Sequence, residues 1–404
     1  MKFLHSADWQ LGARFARFAE AAERLRAVRV ETLARTLALA AERGADAFVI
    51  AGDLFEDNQV DSELVDRVVG LFESASPLPI LVLPGNHDPY SGPDSVWDRL
   101  PFERLGSQVH VFREAEAIEV AGAWVMGSPL QQKVSNRDPS LKLVQLGEGL
   151  DSERPRIGIT HGALAIPGKH QENDFPIALD AASRAGLDYL AVGHWHRWQV
   201  HDHGRLVMPG TPEPDGFPSS QAGSVAWVEV EAAGQAPRVE RLSVGGLEWL
   251  EVEYLFSAEA EGRGDLEGLA ERTGREWEQL VVRVVLSGEA TPECVRETRA
   301  WLEEHLARVA AFEVIDRSRP ALSATDRATL SQEHPLVGQV LDDLEQLQVL
   351  LAGEGLSPVA ESGLEMAALR RLLEEARIPL GELRTVHIEQ ARELITEGLR
   401  EGPR

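Results

Sequence analysis

Five short glycine-marked turns hold most of the residues in this chain that can do chemistry: ADWQLG (7–12), AGDLF (51–55), PGNHD (84–88), THGAL (160–164) and VGHWH (192–196). They offer Asp8, Gln10, Asp53, Asn86, His87, His161, His194 and His196. A lone Asp at a strand end usually caps a turn, and a lone His is usually structural, but five such turns in series form a set. Carboxylate oxygen, amide oxygen and imidazole nitrogen together suit divalent ions such as Mn²⁺, Fe²⁺ or Zn²⁺. An Asp placed between two clusters can bridge two metals roughly 3.5–4 Å apart, a spacing that activates water and clamps a phosphoryl group. The chemistry implied is phosphoester hydrolysis.

These turns need strands to carry them. Short β-rich runs (KFLH, AFVIAGD, PILVLPGNHD) alternate with helical stretches at about 20–43 and 61–74, which predicts an α/β layered core. Further strands read as QVHVF, AIEV, AWVMG, RIGITHG, LDYLAVGH, WQVH, RLVMPG and SVAWVEVE. Functional residues in open α/β sheets gather just past the C-terminal strand ends, and several of these runs end in Asp, Asn or His. After GQAP the texture changes, and QLVVRVVLSG, TPECVRETRAWLEEHLARV and AAFEVIDRS read as strand, helix and strand. A Ser/Ala/Thr-rich linker follows, and then three helical stretches. The first of them carries Leu336, Val340, Leu341, Leu344 and Leu347 as an apolar stripe, either a bundle face or a partner-docking element.

A length of 404 residues suits two or three domains. The net charge of -26 argues against plain electrostatic binding of nucleic acid, so such a partner needs a local Arg-rich or metal-rich site, or another subunit. Acidity does not decide the matter, because ligands of hard divalent metals are themselves carboxylates. One cysteine, Cys294, excludes an internal disulfide, and no N-terminal run reads as a leader. A cytoplasmic protein without a membrane span is expected.

DWQLG, AGDLFED, LPGNHD, THG and GHWH resemble the five signature blocks of the calcineurin-like metallophosphoesterases. The flanking FLHSADWQLG and MPGTPEPDGF (208–217) look most like the bacterial SbcD family of DNA repair exonucleases. The motifs span about residues 1–217, and the later α+β piece is similar in outline to that family's capping domain. The resemblance implies a layered β-sandwich core flanked by helices over 1–240, a small α+β capping domain over 245–320, and a C-terminal helical partner-docking region over 333–404. Two divalent ions are implied, Mn²⁺ foremost, with Mg²⁺, Fe²⁺ or Zn²⁺ as alternatives. Asp8, position 10, Asp53 and His196 would hold the first, and Asp53, Asn86, His161 and His194 the second. His87 would touch the phosphate or protonate the leaving oxygen, oriented by Asp88. The implied partners are DNA, an SMC-like ATPase of the SbcC type and a second copy of the chain.

Gln10 departs from the pattern, since an amide oxygen is a poorer donor than imidazole toward Zn²⁺ or Fe²⁺. It is a weak direct ligand, a ligand through water, or a lost contact. In RFARF (14–18), Arg14 and Arg17 suit phosphate while Phe15 and Phe18 suit base stacking, against a plainer reading in which both rings pack the core. Arg197 in HWHRW is a third phosphate candidate. His201 and His203 in VHDHG imitate a metal pair but read more simply as a hairpin turn, and Glu213 and Asp215 sit on a Pro-rich loop. Three functions remain open: a two-metal DNA exonuclease or endonuclease subunit, a phosphodiesterase or phosphatase for a small phosphoester or cyclic nucleotide, and a catalytically weak scaffold.

Overall fold

Parallel strands buried on both faces read as continuous apolar runs, and the first strands of the chain do so. The computed structural model describes residues 1–320 apart from 100–104, 170, 172, 218–221 and 257–258, and beyond them only Gln332, Pro335, Gln339 and Leu344. The expected docking region at 333–404 and its apolar stripe otherwise lie outside the described residues. Two compact units result: Met1–Leu250 with Trp277–Val281, and Glu251–Glu276 with the described residues from Val282 on.

The first unit is built from β1 (Lys2–Ser6), α1 (Ala22–Glu42), β2 (Ala47–Ala51), α2 (Ser62–Ser74), β3 (Ile80–Leu83), β4 (Val109–Val111), β5 (Glu116–Val120) and β6 (Ala123–Ser128). It continues through α3 (Leu141–Gly147), β7 (Arg156–His161), α4 (Ala181–Arg184), β8 (Tyr189–Gly193), β9 (Gln199–His201), β10 (Leu206–Met208), β11 (Ser224–Glu229) and β12 (Arg238–Ser243). Two six-stranded sheets form, in the orders β12-β11-β1-β2-β3-β4 and β5-β6-β7-β8-β10-β9. β1 to β4 run parallel, as do β6, β7, β8 and β10, while the outer strands β11, β12, β5 and β9 join antiparallel.

Alternation of side chains along each strand sorts the cores. On β2, Ala47, Val49 and Ala51 join Val125, Ile157, Ile159, Tyr189 and Val207 between the two sheets. Phe48 and Ile50 point the other way, onto Val30, Leu33 and Leu37 of α1 and Val65, Val68 and Phe72 of α2. A third cluster covers the outer face of the second sheet with Leu143, Leu164, Ile177 and Ala182. The layers are therefore helix, sheet, sheet, helix, as expected for a metallophosphoesterase-type sandwich. β12 belongs to the first sheet although its sequence did not mark it out. It pairs residue by residue with β11 from Ser224↔Ser243 to Glu229↔Arg238, and its largely exposed edge position suits the charged RVERLS. The unit consequently runs past the expected boundary at 240.

β13 (Glu248–Leu255), β14 (Leu280–Ser287) and β16 (Ala311–Asp316), most of whose residues belong to the second unit, form a sheet in the order β13-β14-β16. The short β15 (Glu289–Ala290) pairs in parallel with β17 (Arg319–Pro320). Arg283 on the central strand β14 reaches Glu251 at 3.0 Å and Glu313 at 2.8 Å. A helix at Pro292–Leu306 starts with Thr291 accepting the Cys294 N–H at 3.2 Å and with proline in its first turn. Among the described residues no helix is long and apolar enough to cross a membrane.

Candidate metal centre

β1, β2 and β3 are parallel neighbours in one sheet, and β7 and β8 are parallel neighbours in the other. Their C-terminal ends deliver the five turns to one edge of the sandwich. Asp53, His161 and His194 place ligand atoms within 4.8 Å of one another. The Asn86 Oδ1 lies 3.0 Å from His161 Nε2 and 2.8 Å from His194 Nδ1, and the Asp53 Oδ2 lies 3.2 Å from His161 Nε2. Asp8 stands 4.0 Å from His161 Nε2, and its carboxylate accepts the backbone N–H of His194 at 2.9 and 3.0 Å.

The outer nitrogens of both rings are already engaged, which fixes what the inner ones can do. His161 Nδ1 donates to the Ala51 carbonyl at 2.8 Å, and His194 Nε2 donates to Asp174 at 2.9 Å. In the neutral rings the His161 Nε2 and His194 Nδ1 lone pairs then converge with the Asn86 and Asp53 oxygens, a donor set that a divalent cation satisfies. Burial disfavours a charged His161, but the Asp53 and Asp8 carboxylates outweigh it and raise the ring to about 9. Burial likewise opposes a charged Asp53, and His161 holds that carboxyl well below its usual range. Both shifts express a strong local demand for positive charge.

The backbone is bent to reach this arrangement. Asp8, Gln10, Asp53 and His194 all have positive φ, at 56°, 43°, 54° and 116°. Such conformations cost of order 1–3 kcal/mol each and persist because the sandwich fixes both ends of each turn. A fully buried Leu or Phe contributes about 1.5–3 kcal/mol, and Phe48, Ile50, Leu81 and Leu83 on the adjoining strands are at most 2% exposed. Two glycines leave room for the candidate ligands: a Cβ at Gly52 would fall on the His161 ring, and one at Gly85 on the Asp53 carboxylate.

The residues expected around a first metal are held by a different network. His196 Nδ1 pairs with Asp215 Oδ2 at 2.6 Å. Burial works against a charged His196, yet the Asp215 hydrogen bond and the Asp8 charge carry it to about 9, while Asp215 falls to about 2 because its bond to His196 overcomes burial. The buried Arg29 of α1 clamps the loop that carries Asp215, donating to the carbonyls of Trp9 (2.7 Å), Glu213 (3.2 Å) and Pro214 (3.3 Å). Glu213 is structural: its buried carboxylate takes hydrogen bonds from Thr32, Gly246 and Leu247. Gln10 is anchored by its backbone N–H to the Asp53 carbonyl at 3.0 Å and is 7% exposed, with no side-chain hydrogen bond among the described residues.

His87 donates its backbone N–H to Asp53 Oδ1 at 2.9 Å, and its Nδ1 pairs with the Glu56 carbonyl at 3.0 Å. The expected Asp88–His87 pair is not formed. Asp88 is buried beneath the turn, where its carboxylate accepts the backbone N–H groups of Gly85 (2.8 Å) and Phe55 (3.0 Å), and burial raises it to about 7. It shapes the turn, and the Glu56 carbonyl orients the ring. Arg14 and Arg197 are exposed, and Arg17 donates to the Asp215 carbonyl at 3.0 Å. His201 and His203 lie in the hairpin between β9 and β10.

A family model described as calcineurin-like phosphoesterase matches residues 1–198, the stretch that carries all five turns. The chain carries a calcineurin-like metallophosphoesterase domain. That family binds divalent metals, so the domain is a metal-dependent phosphoesterase. The chain is similar to the SbcD component of the SbcCD nuclease from Bacillus subtilis, 25% identical over 288 residues, covering 61% of this chain and 70% of the relative. It is similar to a DNA double-strand break repair protein, Mre11, from Methanopyrus kandleri, 27% identical over 327 residues, covering 75% and 66%. The uncharacterized metallophosphoesterase YhaO of Bacillus subtilis is 22% identical over 381 residues, covering 88% and 90%.

Two supporting residues of this metallophosphoesterase domain escaped the sequence reading. Asp174 carries no local signal, because its place depends on a bridge to Ser135 far away in sequence. Arg29 had one: it shares a helical face with Leu25, Leu33 and Thr36, where a charge must find buried partners.

Proposed function

We propose that the chain is the nuclease subunit of a DNA-processing assembly, a two-metal enzyme that hydrolyses DNA phosphodiester bonds in repair with Mn²⁺ as its preferred ion. The convergence of Asp53, Asn86, His161 and His194, with Asp8 beside them, is the observation that carries the reading. Metals held there supply a Lewis acid for a phosphoryl oxygen and lower the pKa of water. Asp53 would be the ligand shared by the two groups. His87 Nδ1–H donates to the Glu56 carbonyl, so Nε2 donates to a phosphate oxygen or gives a proton to a leaving oxygen only in the doubly protonated ring.

DNA as substrate is supported by the names of the nuclease and break-repair relatives and by the exposed Arg14 and Arg197. An SMC-like ATPase of the SbcC type, docked through the C-terminal stretches that the sequence predicts to be helical, would supply the positive surface that a chain of net charge -26 lacks. A homodimer and a cytoplasmic setting belong to the same proposal. The test uses the purified chain with Mn²⁺ on linear duplex DNA, single-stranded DNA and a small chromogenic phosphodiester. DNA cleavage that disappears in Asn86→Ala and His87→Ala supports the proposal. Turnover of the small ester alone would move the substrate to a small phosphoester, and no turnover in any metal would make the chain a scaffold.

A further inference from the structure

Beside the first-metal ligands lies an aromatic cluster that the metal chemistry does not use. Phe15 and Phe217 are half-buried, and their ring centroids lie 6.3 and 5.0 Å from that of the buried Trp249. Phe18 is buried and meets Trp249 edge-on at 5.5 Å. The exposed Arg17 guanidinium lies 5.1 Å from Phe18, 5.8 Å from Phe217 and 5.4 Å from Trp249.

Two short paths join this cluster to the metal turns. Arg17 donates to the carbonyl of Asp215, whose carboxylate holds His196 at 2.6 Å. The Phe15 ring lies 5.3 Å from the Arg29 guanidinium, which donates to the carbonyl of Trp9, the residue between Asp8 and Gln10. Two residues separate the rings from the candidate ligands along each path: Arg17 and Asp215 on one, Arg29 and Trp9 on the other.

Phe15 also occupies a left-handed backbone conformation, φ 47° and ψ 40°. That region is a genuine outlier for a bulky side chain, and such strain clusters at ligand-binding sites. Packing alone does not call for a large ring that is strained and still half in water. Phe18, three residues on, fills the core without that cost.

We propose that Phe15 and Phe217 form a stacking platform for a nucleobase of the substrate strand next to the scissile phosphate, with Arg17 beside that nucleotide's phosphate. The inference rests on the DNA-nuclease reading. Every base has a π-face, so aromatic stacking is sequence-tolerant, and it supplies affinity that an acidic chain cannot draw from charge. One Arg17 nitrogen is committed to Asp215, which leaves further guanidinium donors for phosphate. Bases inside a duplex are already stacked on their neighbours, so the platform selects strand ends or unpaired nucleotides.

The test measures binding by fluorescence anisotropy, with the full-length chain in chelator and labelled single-stranded oligonucleotides that carry either normal or abasic terminal nucleotides. Wild type is expected to bind the base-bearing strand at least about fivefold more tightly. The double variant Phe15→Gly/Phe217→Ala binds both strands alike, and Phe15→Tyr/Phe217→Tyr restores the preference. Folding is controlled by melting temperature: Phe15→Gly suits the left-handed backbone and falls less than Phe18→Ala. Equal binding of the two strands by wild type overturns the platform, as does a preference kept in the double variant. DNA cleavage by wild type in those cases leaves the nuclease reading standing, whereas turnover of a small ester without DNA cleavage removes that reading and the platform together.

Discussion

Asp174 offers a sharp test of how the metal centre is supported. Its carboxylate accepts from His194 Nε2 at 2.9 Å, which fixes the ring and leaves Nδ1 facing Asn86 at 2.8 Å. Partners of this kind typically account for 10–100-fold in metal affinity, about 1.4–2.7 kcal/mol. The Asp174 side chain is 30% exposed, so water replaces part of the lost contact and the expected loss in Asp174→Ala is roughly 10–30-fold. The backbone gives no reason for the loop to unfold, because the Asp174 N–H and carbonyl keep their bonds to Gln171 (3.3 Å) and Ala163 (3.1 Å). Asp174→Asn keeps an acceptor without the charge and should lose only a few-fold. Calorimetric titration of Mn²⁺ into the metal-free chain reads both variants. In a His194→Ala background the Asp174 substitution should cost nothing further. Wild-type affinity in Asp174→Ala, or a full additional loss in that background, would refute the reasoning.

Arg29→Met removes a buried cation that satisfies three carbonyls, and should cost about 3–5 kcal/mol in denaturant melts, against roughly 0.5 kcal/mol or less for an exposed residue such as Arg197. The His196–Asp215 pair makes the metal-free protein pH-dependent. His196 titrates at about 9 when folded against 6.5 unfolded, so its stabilisation is complete below about 6.5 and fades as pH rises through 9. Asp215 is shifted from 3.8 down to about 2, so its stabilisation holds above 3.8 and fades toward pH 2. Melting temperature against pH should therefore lose the acid slope in Asp215→Asn and keep a shallower alkaline one, because Asp8 still favours a charged His196. Gln10→His should tighten the first site for Zn²⁺ relative to Mn²⁺, read by competitive titration; unchanged affinity and unchanged activity would remove any special role for the glutamine.

The candidate ligands were legible because each belongs to a strand whose apolar run announces it and to a turn whose glycine announces a bend. Asp53 is the clearest case: AFVIA fills both faces of a buried strand, and Gly52 then leaves room for the His161 ring. What stayed hidden depends on contacts between distant segments. Asp174 reaches His194 only because its loop bridges to Ser135. Asp215 looked like turn chemistry, but Arg29 and Arg17 hold its loop against His196. Adjacency misled at Asp88, where the neighbouring ring suggested a partner and the backbone N–H groups of Gly85 and Phe55 took the carboxylate instead. β12 escaped because an exposed edge strand needs no apolar run.

The central claim is a two-metal centre that cleaves DNA, and titrating Mn²⁺ into the metal-free chain while following cleavage of a labelled linear duplex tests it most directly. The account predicts that cleavage saturates at two equivalents of metal per chain, and that Asp53→Ala, which removes the ligand shared by both groups, abolishes it. Saturation at a single equivalent, or cleavage that survives without Asp53, would contradict it.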